Sequence, residues 1–261
     1  MNETYGTKGC VHRLEQRKHL KFPVDGLDQT PNHDSFDVEF SVTGQVLQEI
    51  TFNYGGATFR STRFEYDEAG RLTRTVESDN TGAEVAFSER VYSEGRCTWI
   101  NRDSTGMITS HGVDEYNGEY LVLLSTFDGQ GRPKRVKSFE YLDSKLTKSD
   151  SQYYLPDGVM HERWLTDYDS EGRVHRTHGL KADGSALGDG KYLHEYDEEG
   201  RISKLWTFNE FDDDDTAGNV TIYQYLNDDR GNWIERREFH IWRKDSYQSK
   251  TTTTRKLTYY P

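Results

Sequence analysis

The chain has 261 residues, with 33 Lys and Arg against 45 Asp and Glu, a formal net charge of −12. Such acidity argues against nucleic acid as a partner, because phosphate binding needs a basic face. Hydrophobic residues make up 33% of the chain and aromatics 13%. A disordered chain would lack the aromatics, so a polar yet aromatic composition points to sheets with two partly wet faces.

At the N-terminus, MNETYGTKGCVHRLEQRKHL contains no apolar h-region and does not read as a signal peptide. No window approaches the ~18 apolar residues of a spanning helix, so no membrane partner is expected. Residues 1–36 balance Lys8, Arg13, Arg17, Lys18 and Lys21 against Glu3, Glu15, Asp25, Asp28 and Asp34, which leaves the whole −12 on residues 37–261. Within this extension, Val11 to Leu20 reads as a short helix or as a cover over a sheet edge. Cys10 and Cys97 are too few for a disulfide framework and lack metal-ligand spacing, so free thiols in the cytoplasm are expected. The division is therefore an extension over 1–36 and a repeat domain over 37–261.

Internal repetition decides the fold. Phe64-Glu65-Tyr66-Asp67-Glu68-Ala69-Gly70-Arg71-Leu72, Asp167-Tyr168-Asp169-Ser170-Glu171-Gly172-Arg173-Val174 and Glu195-Tyr196-Asp197-Glu198-Glu199-Gly200-Arg201-Ile202 share Y-D-x-x-G-R followed by an apolar residue. Degenerate copies occur at Phe40 to Val46, Tyr92 to Cys97 and Phe127 to Arg132, and a further variant runs from Tyr225 to Trp233. Successive glycines lie 26 (Gly44 to Gly70), 25 (Gly70 to Gly95), 28 (Gly172 to Gly200) and 31 (Gly200 to Gly231) apart. The intervals Gly95 to Gly131 (36) and Gly131 to Gly172 (41) are longer and imply insertions or worn-down units.

The physics of one unit is local. Tyr at the strand end supplies a half-buried ring. Asp at the turn start accepts from amides ahead of it, and Gly supplies the positive φ that closes a short loop. Arg then opens the next strand and lays its stem along neighbouring rings. A second set of turns lies between: Asn53 to Gly56, Asp79 to Gly82, Pro156 to Gly158, Ala182 to Gly184 and Thr216 to Gly218. Strands such as Val85 to Tyr92 and Ile202 to Phe208 alternate only partly, as a sheet wet on both sides would. The expected fold is all-β, an antiparallel meander of hairpins forming one strongly curved or rolled sheet.

These units resemble the YD repeat of Rhs (rearrangement hot spot) proteins and teneurins, from about Phe40 to Phe239. Asp228-Asp229-Arg230-Gly231-Asn232-Trp233 looks like the G-N-W variant of short bacterial members. Large members coil dozens of repeats into a shell around a toxic C-terminal domain. About seven units cannot close such a shell, and no toxin domain or aspartyl self-cleavage core is matched here. What the resemblance implies is a short member without a toxin domain: an immunity-type protein neutralising a cognate toxin, or an accessory or shell fragment of such a system. It also assigns Tyr66, Asp67, Gly70, Arg71, Tyr168, Asp169, Gly172, Arg173, Tyr196, Asp197, Gly200 and Arg201 to the repeat framework.

No catalytic motif emerges, so no enzyme is expected. His161-Glu162 and His194-Glu195 each begin H-E-x-x-H but lack the second histidine and sit on strands, whereas that zinc motif needs a helix. Asp212-Asp213-Asp214-Asp215 has neither the glycine nor the final glutamate of a calcium loop. It reads as a solvated hairpin tip, or as an acidic finger for a cationic partner. No metal and no cofactor is expected. Trp164, Trp206 and Trp242 recur near strand positions, either as packing rings or as a binding groove. Function therefore points to protein binding, with a basic toxin domain as partner through Asp212 to Asp215 and these tryptophans. Carbohydrate binding on the same rings is the alternative, and two free sheet edges invite a homodimer.

Overall fold

A computed structural model describes residues 11–21, 35–52, 57–208, 219–241 and 248–259. The strands run β1 (Val11–Lys21), β2 (Phe36–Phe40), β3 (Val46–Phe52), β4 (Thr58–Tyr66), β5 (Leu72–Asp79), β6 (Glu84–Ser93), β7 (Arg96–Asp103), β8 (Ile108–Asn117) and β9 (Tyr120–Asp128). They continue as β10 (Pro133–Leu142), β11 (Lys145–Tyr154), β12 (Met160–Tyr168), β13 (Val174–Lys181), β14 (Ala186–Tyr196), β15 (Ile202–Phe208), β16 (Asn219–Asn227), β17 (Trp233–Ile241) and β18 (Gln248–Tyr259). They form one 18-stranded sheet in which each strand neighbours the next in the chain.

The ladder is cyclic. β1 pairs antiparallel with β2 on one side, Leu14 opposite Val38, and with β18 on the other, Leu14 opposite Leu257. In its hydrogen bonding this is a closed 18-stranded β-barrel: the all-β antiparallel meander is as expected, and the strongly curved or rolled sheet closes on itself. The physical reason lies in the extension. Val11–Lys21 is a full strand of the sheet, not a helix or an edge cover. The edges that invited a homodimer satisfy each other inside one chain.

The chain divides into two compact units. Met1–Ser88, Ile222–Ile241 and Ser246–Pro261 form one, and Glu89–Thr221 with Trp242–Asp245 the other. In the first, a small dry core of Val11, Leu14, Val38, Phe40 and Val46 is bordered by Phe36, Phe64, Leu257 and Tyr259. In the second, among the described residues, Cys97 and Phe208 are the buried apolar side chains.

The YD turns do locally what their residues dictate. At the first, the Asp67 amide donates to the Arg71 carbonyl and the Gly70 amide to the Asp67 carbonyl. Asp67 Oδ1 accepts from the amides of Ala69 and Arg71, and Oδ2 from Arg71 Nε. Gly70 sits at φ +77°, where a side chain is strained. Asp169–Arg173 and Asp197–Arg201 repeat the bonds to backbone and guanidinium.

The repeat is more regular than the glycine spacing suggests. Asp128–Arg132 closes the β9–β10 hairpin, at the opposite strand ends from β8–β9, β10–β11, β12–β13 and β14–β15. It therefore belongs with the alternate turns, and its Phe127 is not a YD ring. The missing units are Tyr116-Asn117-Gly118 and Tyr141-Leu142-Asp143-Ser144. With them, the aromatic residue before each such turn falls at Phe40, Tyr66, Tyr92, Tyr116, Tyr141, Tyr168 and Tyr196, at steps of 26, 26, 24, 25, 27 and 28. No insertion is needed. In place of Gly, Asp143 (φ 49°) and Ser144 (φ 66°) make the β10–β11 turn.

Three of the tyrosine hydroxyls link their unit to the one before. Tyr66 donates to the Val46 carbonyl (2.8 Å), Tyr141 to Leu121 (3.0 Å) and Tyr196 to Val174 (2.6 Å). Each acceptor is the first or second residue of the strand after the preceding turn, 20 to 22 residues back. Arg173 of one turn lies 4.4 Å over the ring of Tyr196 in the next, a cation–π contact between successive units.

Candidate binding face

Of the tryptophans expected to line a groove, Trp164 and Trp206 lie on opposite faces. Trp164 pairs across strands with Gly179, and a Cβ there would lie 3.1 Å from the indole. Trp164 also stacks near Tyr192, centroids 6.1 Å apart. Tyr192 pairs with Thr207, so the adjacent Trp206 points to the other face, opposite Leu193. There its Nε1 donates to Glu195 Oε1 at 2.8 Å. Trp242, the run Asp212 to Asp215 and the turns over Asn53–Gly56 and Thr216–Gly218 lie outside the described residues.

What gathers around Trp164 is a pair of cations. Alternation along β10 puts Arg135, Lys137, Phe139 and Tyr141 on one face. Register then sets Arg135 opposite Tyr153, Lys137 opposite Ser151 and Phe139 opposite Ser149. On the next strand Ser151 faces Trp164 and Ser149 faces Thr166. This is the tyrosine face, since Trp164, Thr166 and Tyr168 alternate along β12 and the Tyr168 hydroxyl meets Ser149 Oγ at 3.1 Å.

Arg135 donates from Nη2 to Ser151 Oγ (3.3 Å) and lies 5.2 Å over the Tyr153 ring. Its Nε is buried with no hydrogen-bond partner. Lys137 Nζ lies 4.8 Å over the Phe139 ring. Burial, and then the nearby Arg135, push the Lys137 ammonium below its ordinary value. Among the described residues, neither cation forms an ion pair within 4.0 Å. Sequence reading missed this pair because Arg135 and Lys137 belong to no motif; strand parity across three strands is what aligns them with Trp164.

The opposite face of the same strands is built differently. Arg163 grips Asp150 through Nε (3.0 Å) and Nη2 (2.8 Å), and Lys204 meets Glu195 at 2.9 Å. These two ion pairs lie on β11–β12 and on β14–β15. In the other unit, a cavity of about 240 Å³ is lined by His12, Arg13, Asp37, Val38, Glu39, Gln48 and Ile50. Arg13 spans it to Asp37 at 2.7 Å, and His12 approaches Glu39 at 3.5 Å.

Cys97 is buried, and burial pushes its thiol above the ordinary value, which lowers its nucleophilicity at neutral pH. Among the described residues no three His, Cys, Asp or Glu converge as metal ligands, and no helix is long and apolar enough to cross a membrane.

No family model matches the chain, and no curated protein matches it in sequence. Among solved structures it is similar to a porin-like protein from Bacteroides uniformis, at 13% identity over 95% of this chain and 96% of that one, TM-score 0.50. A porin-like protein from Bacteroides vulgatus matches at 10% identity over 97% of this chain and 100% of that one, TM-score 0.45. The TcdB2-TccC3-Cdc42 structure matches at 10% identity over 94% of this chain and 16% of that one, TM-score 0.27. The first likeness is one of fold.

Proposed function

We propose that this chain is a non-catalytic binding protein of YD-repeat type that takes an acidic sugar chain on the tyrosine face of β10–β12. The observation behind this reading is the Arg135–Lys137 pair: two half-buried cations with no carboxylate against them, flanked by Phe139, Tyr153 and Trp164. Guanidinium and ammonium suit a sugar carboxylate, and rings suit the apolar face of a pyranose. Titration calorimetry with uronic-acid oligomers and their neutral counterparts tests it. The acidic oligomers should bind, and Arg135→Ala with Lys137→Ala should weaken them at least tenfold while leaving the circular dichroism intact. Equal binding of neutral and acidic sugars, or a double variant that binds as well as the parent, would sink the reading.

A second reading is immunity-type neutralisation of a basic toxin domain. It draws on the net charge of −12 and on turn carboxylates such as Asp67 and Asp128, held ionised by the amides of Arg71 and Arg132. A pull-down that returns one stoichiometric basic protein, released by salt, would favour it over the glycan. Under either reading the protein works in water, and we place it in the cytoplasm. The Arg163–Asp150 and Lys204–Glu195 pairs occupy one face and Arg135 and Lys137 the other, and a lipid-facing charge costs ~2–4 kcal/mol at midplane.

A further inference from the structure

A second concentration of positive charge lies in the other unit, where β17, β18 and β1 run side by side. Register sets Arg236 opposite Thr253, and Thr253 opposite Lys18 on the far side. Two residues along β18, Arg255 faces Gln16. Arg236, Thr253 and Arg255 thus share one face of adjacent strands.

Both guanidiniums converge on one ring. Arg255 Cζ lies 3.4 Å and Arg236 Cζ 5.5 Å from the Trp233 ring centre. Arg255 Nε donates to Gln16 Oε1 at 2.9 Å, and Arg236 Nη2 to Glu238 Oε1 at 2.6 Å. The Glu238 carboxylate is shared, since His240 also approaches it, at 3.9 Å. Burial, and then the charge of Arg236, push the Arg255 guanidinium below its ordinary value.

Two polar atoms here are buried and unsatisfied. Thr253 is 0% exposed and its Oγ1 has no hydrogen-bond partner; Arg236 Nε is in the same condition. A buried hydroxyl is costly to leave unsatisfied, so Thr253 Oγ1 calls for a partner. An oxyanion supplies lone pairs to Thr253 Oγ1 and Arg236 Nε. Arg236, with its side chain 30% exposed, is the open side of the cluster.

We propose that Arg236, Arg255 and Thr253 form a binding site for a small oxyanion, a carboxylate or a phosphate. The site is separate from the Arg135–Lys137 face and does not rest on the glycan reading.

The full chain is titrated with inorganic phosphate and with acetate, against sodium chloride at matched ionic strength. Binding is read by calorimetry and by the thermal midpoint. One or both oxyanions should bind saturably and raise the midpoint, with phosphate and acetate distinguishing the two sources. Thr253→Val should weaken binding about fivefold to tenfold while leaving the fold intact, since replacing an orphan hydroxyl by a methyl is near neutral. Arg236→Gln should abolish binding, and Arg135→Ala should leave it unchanged. If neither oxyanion differs from chloride, or if Thr253→Val binds as the parent does, the site does not exist. Should Arg236→Gln fail to fold, Thr253→Val still decides the matter.

Discussion

The Tyr259 hydroxyl donates to Asp228 Oδ2 at 2.5 Å, tying the last strand to the turn between β16 and β17. Asn232 Nδ2 donates to the same hydroxyl at 2.7 Å, and Arg230 lies 3.9 Å over the ring. Tyr66, Tyr141 and Tyr196 likewise reach back past the preceding turn, but to a backbone carbonyl rather than to the turn carboxylate. The Tyr259 contact also explains the departure from Y-D-x-x-G-R: Asn232 stands where the other turns have Arg, and its amide serves Tyr259 rather than Asp228 alone.

Tyr259→Phe removes both hydrogen bonds and leaves Asp228 and Asn232 partly unsatisfied. Urea melts should show a loss of about 1–3 kcal/mol. Tyr66→Phe, which removes one bond to the Val46 carbonyl, should cost less, about 0.5–1.5 kcal/mol. Equal costs would mean that closure is no more demanding than any other contact between units.

Burial, and then the hydrogen bond to Asp228, push the Tyr259 hydroxyl up to about 12. A raised value means stability that is complete below the unfolded value, about 10, and lost as pH rises through the folded one. Thermal midpoints measured from neutral pH to about 12 should fall across this window, and the Tyr259→Phe protein should fall less.

At the acid end the turn carboxylates govern. Asp67 and Asp128 are held below the ordinary range chiefly by the amides of Arg71 and Arg132, and Asp79, Asp103 and Asp183 by the hydroxyls of Thr81, Thr105 and Ser185. Depressed values stabilise the fold above the unfolded pKa, about 3.9, and that contribution disappears as pH falls through the folded values. Stability should be flat above about pH 5 and decline below about 4. Asp67→Asn should blunt the decline.

Gly112 lies under Trp99, and a Cβ there would meet the indole at 2.3 and 2.4 Å and the Ser125 carbonyl at 2.6 Å. The backbone contact cannot rotate away, so Gly112→Ala should cost about 2–3 kcal/mol or more. Gly184→Ala, with nothing within 4 Å of its Cβ, meets only the left-handed backbone and should cost about 1 kcal/mol. Denaturant midpoints of the two proteins check the ranking.

Trp164 and Trp206 occupy opposite faces. Trp164→Ala should weaken acidic-glycan binding by about 1–2 kcal/mol, while Trp206→Ala should leave it unchanged. Identical losses would place the ligand elsewhere.

Much of this molecule is readable from local chemistry. Asp67 meets partners two and four residues on, so the turns, the strands between them and the antiparallel meander come from short stretches of sequence. Strand parity is not local. Phe127-Asp128 looks like a YD unit until the strands are counted, and only then do Tyr116 and Tyr141 take their places. The same count brings Arg135 and Lys137 beside Trp164 and sends Trp206 away, because side chains alternate and one residue of register reverses a face. Closure is the most remote fact of all: Arg255 reaches Gln16 across 239 residues. No turn motif encodes that pairing. The tertiary structure decides it, because two free sheet edges leave rows of unpaired amides and carbonyls that β1 and β18 satisfy on each other.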